Sequence, residues 1–202
     1  MASIYDLKPR FQAVLRPLVG RLAGAGVTAN QVTLAAALLS ALTGLGVWLN
    51  PQARWALLLV PLMLFLRMAL NAVDGMLARE FNQKSRLGAL LNEIGDVVSD
   101  SALYLPFAML PGVEPHLVMI VVILALIGEM AGVVAIQIGA TRRYDGPLGK
   151  SDRAFAFGLI ALLIGLGVTP GSWTTILLAV MAVLAAMTIL NRSRRALAEA
   201  PG

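Results

Sequence analysis

Apolar residues run along this chain in long blocks, broken by short polar segments. Six blocks, about 31–49, 55–79, 87–110, 116–140, 154–170 and 173–191, approach or exceed the ~20 residues a helix needs to cross a bilayer. The segments between them, "NPQAR", "REFNQKSR", "PGVEPH", "TRRYDGPLGKSDR" and "TPGSW", carry the Gly, Pro and Asn that mark turns. Ahead of the first block, Leu7, Phe11, Val14, Leu15, Leu18 and Leu22 recur at helical spacing with Lys8, Arg16 and Arg21 among them. That pattern predicts an amphipathic helix over 3–22, lying on the membrane surface, with Pro9 near its start. In "GVTANQVT", Thr28 or Asn30 is the expected N-cap of the next helix. The pattern predicts an all-α membrane protein: one domain, 1–202, of six transmembrane helices preceded by a juxtamembrane helix.

Composition agrees. Hydrophobic residues make up 58% of the 202 and charged residues 13%, against about half and about a quarter in soluble domains. The absence of cysteine excludes disulfides, thiolate metal sites and a cysteine nucleophile. The N-terminal residues hold no apolar core of a cleaved signal peptide, so the first span is expected to act as its own signal.

Charge then orients the helices. Lys8, Arg10, Arg16, Arg21, Arg79, Lys84, Arg86, Arg142, Arg143, Lys150, Arg153, Arg192, Arg194 and Arg195 fall on one side of a six-span layout, Arg54 on the other, and Arg67 within a span. The rich side is cytoplasmic by the positive-inside rule, which puts both termini in the cytoplasm and the chain in the inner membrane. Trp48, Trp55 and Trp173 fall at the opposite ends of their spans, as one interfacial aromatic belt would have them. The formal charge of +5 is thus a membrane signature and not one of nucleic-acid binding.

Against this background, the charges inside the second and third blocks stand out. Residues three, four and seven apart share a helix face. Arg67, Asn71, Asp74, Gly75 and Ala78 form one such stripe; Gly88, Asn92, Asp96 and Asp100 form another, with Glu93 beside it. The connecting loop is short, so the two helices are expected to be antiparallel neighbours whose polar faces meet in a cleft open to the cytoplasm. Each ionised side chain at mid-bilayer costs about 2.5–3.5 kcal/mol on insertion scales, and intramembrane carboxylates are functional by default. Clustered carboxylates and amide oxygens suit a hard divalent cation such as Mg²⁺, Mn²⁺ or Ca²⁺. The small residues Gly75, Ala78, Gly88, Ala89 and Gly95 leave room for a phosphate-bearing ligand, or serve only to bring helices close.

"DGMLAREFNQKSRLGALLNEIGD", residues 74–96, resembles the signature of the CDP-alcohol phosphotransferase family, D-x₂-D-G-x₂-A-R-x₈-G-x₃-D-x₃-D. Spacing matches without a gap from Asp74 through Gly75, Ala78, Arg79 and Gly88 to Asp96, and the six-helix layout extends the resemblance over the whole chain. Asn71 and Asn92 stand where the family has its first and third aspartates. The resemblance implies metal-dependent transfer of a phosphatidyl group from CDP-diacylglycerol to the hydroxyl of a small polar acceptor, phosphorylated or not, with release of CMP. It further implies one or two Mg²⁺ or Mn²⁺ ions on Asp74, Asp96, Asn71 and Asn92, and Asp96 as catalytic base. Asp74, Gly75, Ala78, Arg79 and Gly88 would bind the nucleotide and its pyrophosphate, and the protein would be a homodimer. Glu93 and Asp100 are the acids at hand to compensate for the two asparagines. By the same resemblance, "GPLGKSDR", 146–153, helps bind the acceptor through Arg142, Lys150 and Arg153, although the positive-inside rule alone also places basic residues there.

Three other readings stay open: transfer from a soluble CDP-alcohol to diacylglycerol, a catalytically impaired lipid- or nucleotide-binding homologue, and a small ion-coupled transporter. No internal repeat of the kind transporters show is evident. Arg67 and Glu129, both inside spans, are expected to pair, and His116 is expected on the surface.

Overall fold

The computed structural model describes residues 4–201, with side chains from Arg10 onward. Leu7, Lys8 and Pro9 of the predicted juxtamembrane face, and its first residue, Ser3, therefore lie outside the described residues or side chains. Helix α1 runs Ile4–Gly24, α2 Ala29–Leu49, α3 Arg54–Glu80, α4 Arg86–Tyr104, α5 Pro115–Val134, α6 Lys150–Gly165 and α7 Ser172–Glu199. Short 3₁₀ turns at Leu105–Met109 and Ala135–Ile138 follow α4 and α5. The described residues contain no strand. Helices α2, α3, α7, and α5 with its following turn, are long and apolar enough to cross a membrane, making this a multi-pass membrane protein. Helix α4 carries Arg86, Glu93, Asp96 and Asp100, and α6 is only 16 residues long.

Two compact units divide the chain, residues 1–42 with 62–99 and residues 43–61 with 100–202. In the first, Val19 of α1 is fully buried and packs with Ala29, Val32, Val73, Met76 and Leu77. Leu15 and Leu22 flank it, and Phe11 meets Phe65 edge-on at 6.5 Å. Val14 and Leu18 stay exposed. One edge of the predicted apolar stripe thus docks α1 onto α2 and α3, and the other stays exposed. Thr28 is the N-cap of α2. Its Oγ1 accepts from Gln31 N at 3.3 Å while Gln31 Oε1 accepts from Thr28 N at 2.9 Å, a reciprocal capping box.

The second unit is built on α5 packed along α7. Phe157 of α6 stacks on Tyr104 at 4.2 Å and meets Phe107 edge-on at 5.2 Å. Gly44 of α2 lets its helix touch α4 backbone to backbone, since a Cβ there would lie 1.9 Å from the Ala102 carbonyl oxygen. Gly44→Val is expected to lower stability by at least the ~1–3 kcal/mol of an overpacked core, read as a lower thermal midpoint in detergent.

The segment 139–149 is tied down by charge. Asp145 accepts from Arg143 Nε at 2.8 Å and Arg195 Nη1 at 2.6 Å, and Arg143 also pairs with Glu199. Burial disfavours the charged Asp145 carboxylate, but the hydrogen bond and charge of Arg143, with the charge of Arg195, outweigh it and hold its pKa below the usual range. A depressed carboxylate pKa stabilises above the ordinary aspartate range and is lost as pH falls through the lowered value. Amide exchange in 139–149 is therefore expected to show unchanged protection between pH 6 and 8 and to lose it only in strong acid.

Candidate active site

The site grows from two helices and the turn between them. Helix α3 ends in Asp74, Gly75, Ala78 and Arg79, and α4 opens with Gly88, Ala89 and Asn92. Ser85 caps α4, its Oγ accepting from Gly88 N at 2.9 Å. Gln83 holds the turn against the start of α2, accepting from Ala29 N at 2.7 Å. Asn82 reverses the chain with a φ of 55°.

A cavity of about 330 Å³ results, lined by Asp74, Gly75 and Ala78 of one stripe, Gly88 and Asn92 of the other, and Arg79. Asn30 and Thr33 of α2 and Gln83, Lys84 and Ser85 of the turn complete its wall. Sequence does not single out Thr33, Gln83 or Ser85, and marks Asn30 only as a possible N-cap and Lys84 only as a loop cation; Gln83, Lys84 and Ser85 fall in the variable stretch of the signature. Among the described residues, Asp74 is the only acid in the lining and is 6% exposed. Thr33 Oγ1 donates to Asp74 Oδ2 at 2.7 Å. Gly88 keeps the cavity open at its other wall: a Cβ there would lie 2.8 Å from Asn30 Oδ1. Arg79 and Lys84 put two cations around a single carboxylate, an arrangement suited to an anionic ligand.

Asn71 and Asp96 do not line this cavity. They gather with Arg67, a residue only 4% exposed. Arg67 Nη2 donates to Asp96 O at 3.0 Å and to Asp96 Oδ1 at 3.2 Å, and Asn71 Nδ2 approaches the same Oδ1 at 3.4 Å. The expected Arg67–Glu129 pair is therefore corrected. Glu129 is instead held by Arg153 at 2.9 Å and by Arg142 and Arg192 at 3.4 Å each. Helical spacing tells which residues share a face but not which helices are neighbours.

Asp100 accepts from Arg153 Nη2 at 3.1 Å, and Arg153 is 2% exposed. Arg142 lies 4.2 Å over the Tyr144 ring. Lys150 opens α6, whose start is fastened by Asp152 Oδ2 accepting from Gly149 N at 2.8 Å. Glu93 is half-buried on α4, outside the lining of the cavity.

The donor set can be weighed against a divalent cation. Carboxylate and amide oxygens are the hard ligands that Mg²⁺ and Mn²⁺ take. No group of three or more His, Cys, Asp or Glu that could hold a metal forms among the described residues. Asp74 and Asn92, which line the same cavity, bring one carboxylate and one amide oxygen of that kind.

Helices long enough to cross a membrane, with a basic-rimmed carboxylate cavity between α2, α3 and α4, define a membrane enzyme that transfers substituted phosphate groups in phospholipid biosynthesis. The chain belongs to the CDP-alcohol phosphatidyltransferase family, whose profile matches residues 26–190. It is 48% identical over 195 residues to the inner membrane protein YnbA of Escherichia coli (strain K12), covering 96% of each chain. It is also 35% identical over 104 residues to an uncharacterized protein of Aquifex aeolicus (strain VF5), 52% of this chain and 49% of that one. Its fold is that of phosphatidylinositol phosphate synthase from Mycobacterium tuberculosis. The crystal structure of that protein with CDP-DAG bound superposes with a TM-score of 0.77 at 19% identity, covering 92% of this chain and 94% of the other. The structure in complex with manganese and citrate gives 0.76 at 19% identity, covering 92% and 90%.

Proposed function

We propose that the protein transfers a phosphatidyl group from CDP-diacylglycerol to the hydroxyl of a small polar acceptor, releasing CMP, in the inner membrane with both termini in the cytoplasm. The convergence of Asp74, Gly75, Ala78, Arg79, Gly88 and Asn92 from two helices on one cavity carries this reading. The donor bound to the structurally similar synthase and the membrane named for the E. coli relative add support. In the same reading α4 and α6 also cross the bilayer, giving six spans, and the protein is a homodimer.

The acyl chains stay in lipid while the nucleotide diphosphate enters the cavity. Arg79 and Lys84 bind its phosphates, and Gly75 and Gly88 let them approach the backbone. Asp74 and Asn92 would hold a divalent cation, which would supply charge withdrawal from the departing CMP. Asp96, 26% exposed and oriented by Arg67, takes the proton of the acceptor alcohol as its oxygen attacks the phosphatidyl phosphorus. The bond from that phosphorus to the bridging oxygen breaks, and CMP departs with that oxygen. Arg142 and Lys150 contact the acceptor, and Arg153 acts from within by positioning Asp100 and Glu129.

Radiolabelled CDP-diacylglycerol in liposomes, offered with glycerol phosphate, inositol phosphate, serine and glycerol and with Mg²⁺ or Mn²⁺, tests this. CMP release that depends on one acceptor and on the metal is expected, and Asp96→Asn is expected to suppress it. Release only from a soluble CDP-alcohol with diacylglycerol as acceptor would reverse the assignment of donor and acceptor. Thr33→Val removes the hydrogen bond to Asp74 while keeping the shape of the side chain. It is expected to raise the metal concentration needed for half-maximal rate by about 10–100-fold, the usual effect of losing a partner that orients a ligand.

A further inference from the structure

Gly75 and Arg79 lie one helical turn apart on α3, and both line the Asp74 cavity. A Cβ on Gly75 would lie 3.0 Å from Arg79 Nη2, 3.2 Å from Nη1 and 3.4 Å from Cζ. The guanidinium therefore rests over the bare Cα of the glycine, folded back along its own helix. Helical side chains lean that way, because their Cα–Cβ bonds tilt towards the helix N-terminus. Arg79 is otherwise exposed, and the adjacent acid, Glu80, is turned to Arg16 of α1 through bonds of 3.1 and 2.9 Å. A long, exposed arginine has many rotamers open to it, and a ligand that needs one of them must order the chain. A flat seat in the cavity wall lowers that cost before the ligand arrives.

We propose that Gly75 is a positioning residue: its missing side chain seats the Arg79 guanidinium in the cavity, where the planar fork meets the diphosphate of the donor. The proposal rests on the donor reading above and goes beyond it in giving Gly75 a task that acts through Arg79. A methyl group at 75 would come closer to the two nitrogens than carbon and nitrogen ordinarily approach. What yields is the far end of a flexible side chain and not the helix, so the fork leaves its seat while the fold stays intact. Alanine is also the better helix former, so the backbone gains where the site loses.

The test is a double-mutant cycle on the full-length protein in liposomes, read as CMP release from CDP-diacylglycerol with the acceptor it uses, alongside thermal unfolding in detergent. Gly75→Ala is expected to raise KM for the donor about tenfold, the loss of one charge-assisted hydrogen bond. A smaller effect on kcat is expected, and a thermal midpoint equal to or above that of wild type. In an Arg79→Met background the same substitution is expected to change KM by less than about twofold, because the group it displaces is gone. Arg79→Lys, whose compact ammonium needs no flat seat, serves as the background if Arg79→Met does not fold. An equal rise in KM in both backgrounds would overturn the proposal, as would a wild-type KM or a lowered thermal midpoint in Gly75→Ala. CMP release by the wild type in those cases would leave the functional reading standing. No CMP release from CDP-diacylglycerol by the wild type, with every acceptor offered, would overturn both.

Discussion

Asp74→Asn is expected to cut CMP release from CDP-diacylglycerol by about 10²–10⁴-fold, with the protein still folded. Asparagine has the same shape, and its carbonyl oxygen can still accept the hydrogen bond that Thr33 Oγ1 gives Asp74 Oδ2 at 2.7 Å, so packing at this buried position is preserved. The charge is what disappears. Among the described residues Asp74 is the only acid lining a cavity that also presents Arg79 and Lys84, so the described lining of the variant cavity is cationic or neutral. A cation at a phosphoryl group contributes several kcal/mol to the transition state, and each 1.36 kcal/mol is a factor of ten in rate. The measurement is single-turnover CMP release at saturating donor, together with an unfolding curve in detergent. A loss under about fivefold would show that this carboxylate does not hold the reacting group's counterion.

Arg153→Met is expected to give the largest loss of stability. The Arg153 side chain is 2% exposed, and Nη2 bridges Asp100 Oδ2 at 3.1 Å and Glu129 Oε1 at 2.9 Å. Methionine fills much of the space but removes the charge that lies between two acids. Breaking a buried pair by deleting one partner costs about 3–5 kcal/mol, because the remaining charge is left buried without compensation. Glu129 keeps Arg142 and Arg192 at 3.4 Å, while Asp100 loses the bond that Arg153 Nη2 gives it at 3.1 Å. Adding Asp100→Asn to Arg153→Met is therefore expected to recover a good part of the loss. Thermal unfolding followed by tryptophan fluorescence reads both. An Arg153→Met protein as stable as wild type would mean that the bridge contributes nothing net, and its retention would need a functional cause.

Much of the fold was legible because the bilayer imposes a simple rule on composition. The predicted blocks 31–49 and 55–79 correspond to Ala29–Leu49 and Arg54–Glu80. Errors fall where helix and hydropathy part company. The sixth helix begins at Lys150 and not at 154, because its first turn is polar and is fastened by Asp152. Helix α7 continues eight residues past 191, to Glu199, because Ala196 packs on Ala135 and Ala140 and Glu199 pairs with Arg143. Conversely, α4 stops at Tyr104 because Pro106 cannot continue it and a 3₁₀ turn takes over. For the site, the i, i+4 stripes identified Asp74, Gly88 and Asn92 as partners without any knowledge of packing. They did not reveal that Asn30 and Thr33 close the cavity from α2, nor that Arg67 belongs to Asp96. Those are contacts between elements far apart in sequence, and periodicity along one helix carries no information about them.

The most direct test of the central claim is a structure of the protein with CDP-diacylglycerol and Mn²⁺, located by anomalous scattering. The account predicts the diphosphate between Gly75, Arg79 and Gly88 with manganese on the Asp74 carboxylate. A nucleotide bound elsewhere, with the Asp74 cavity filled by water or lipid, would contradict it.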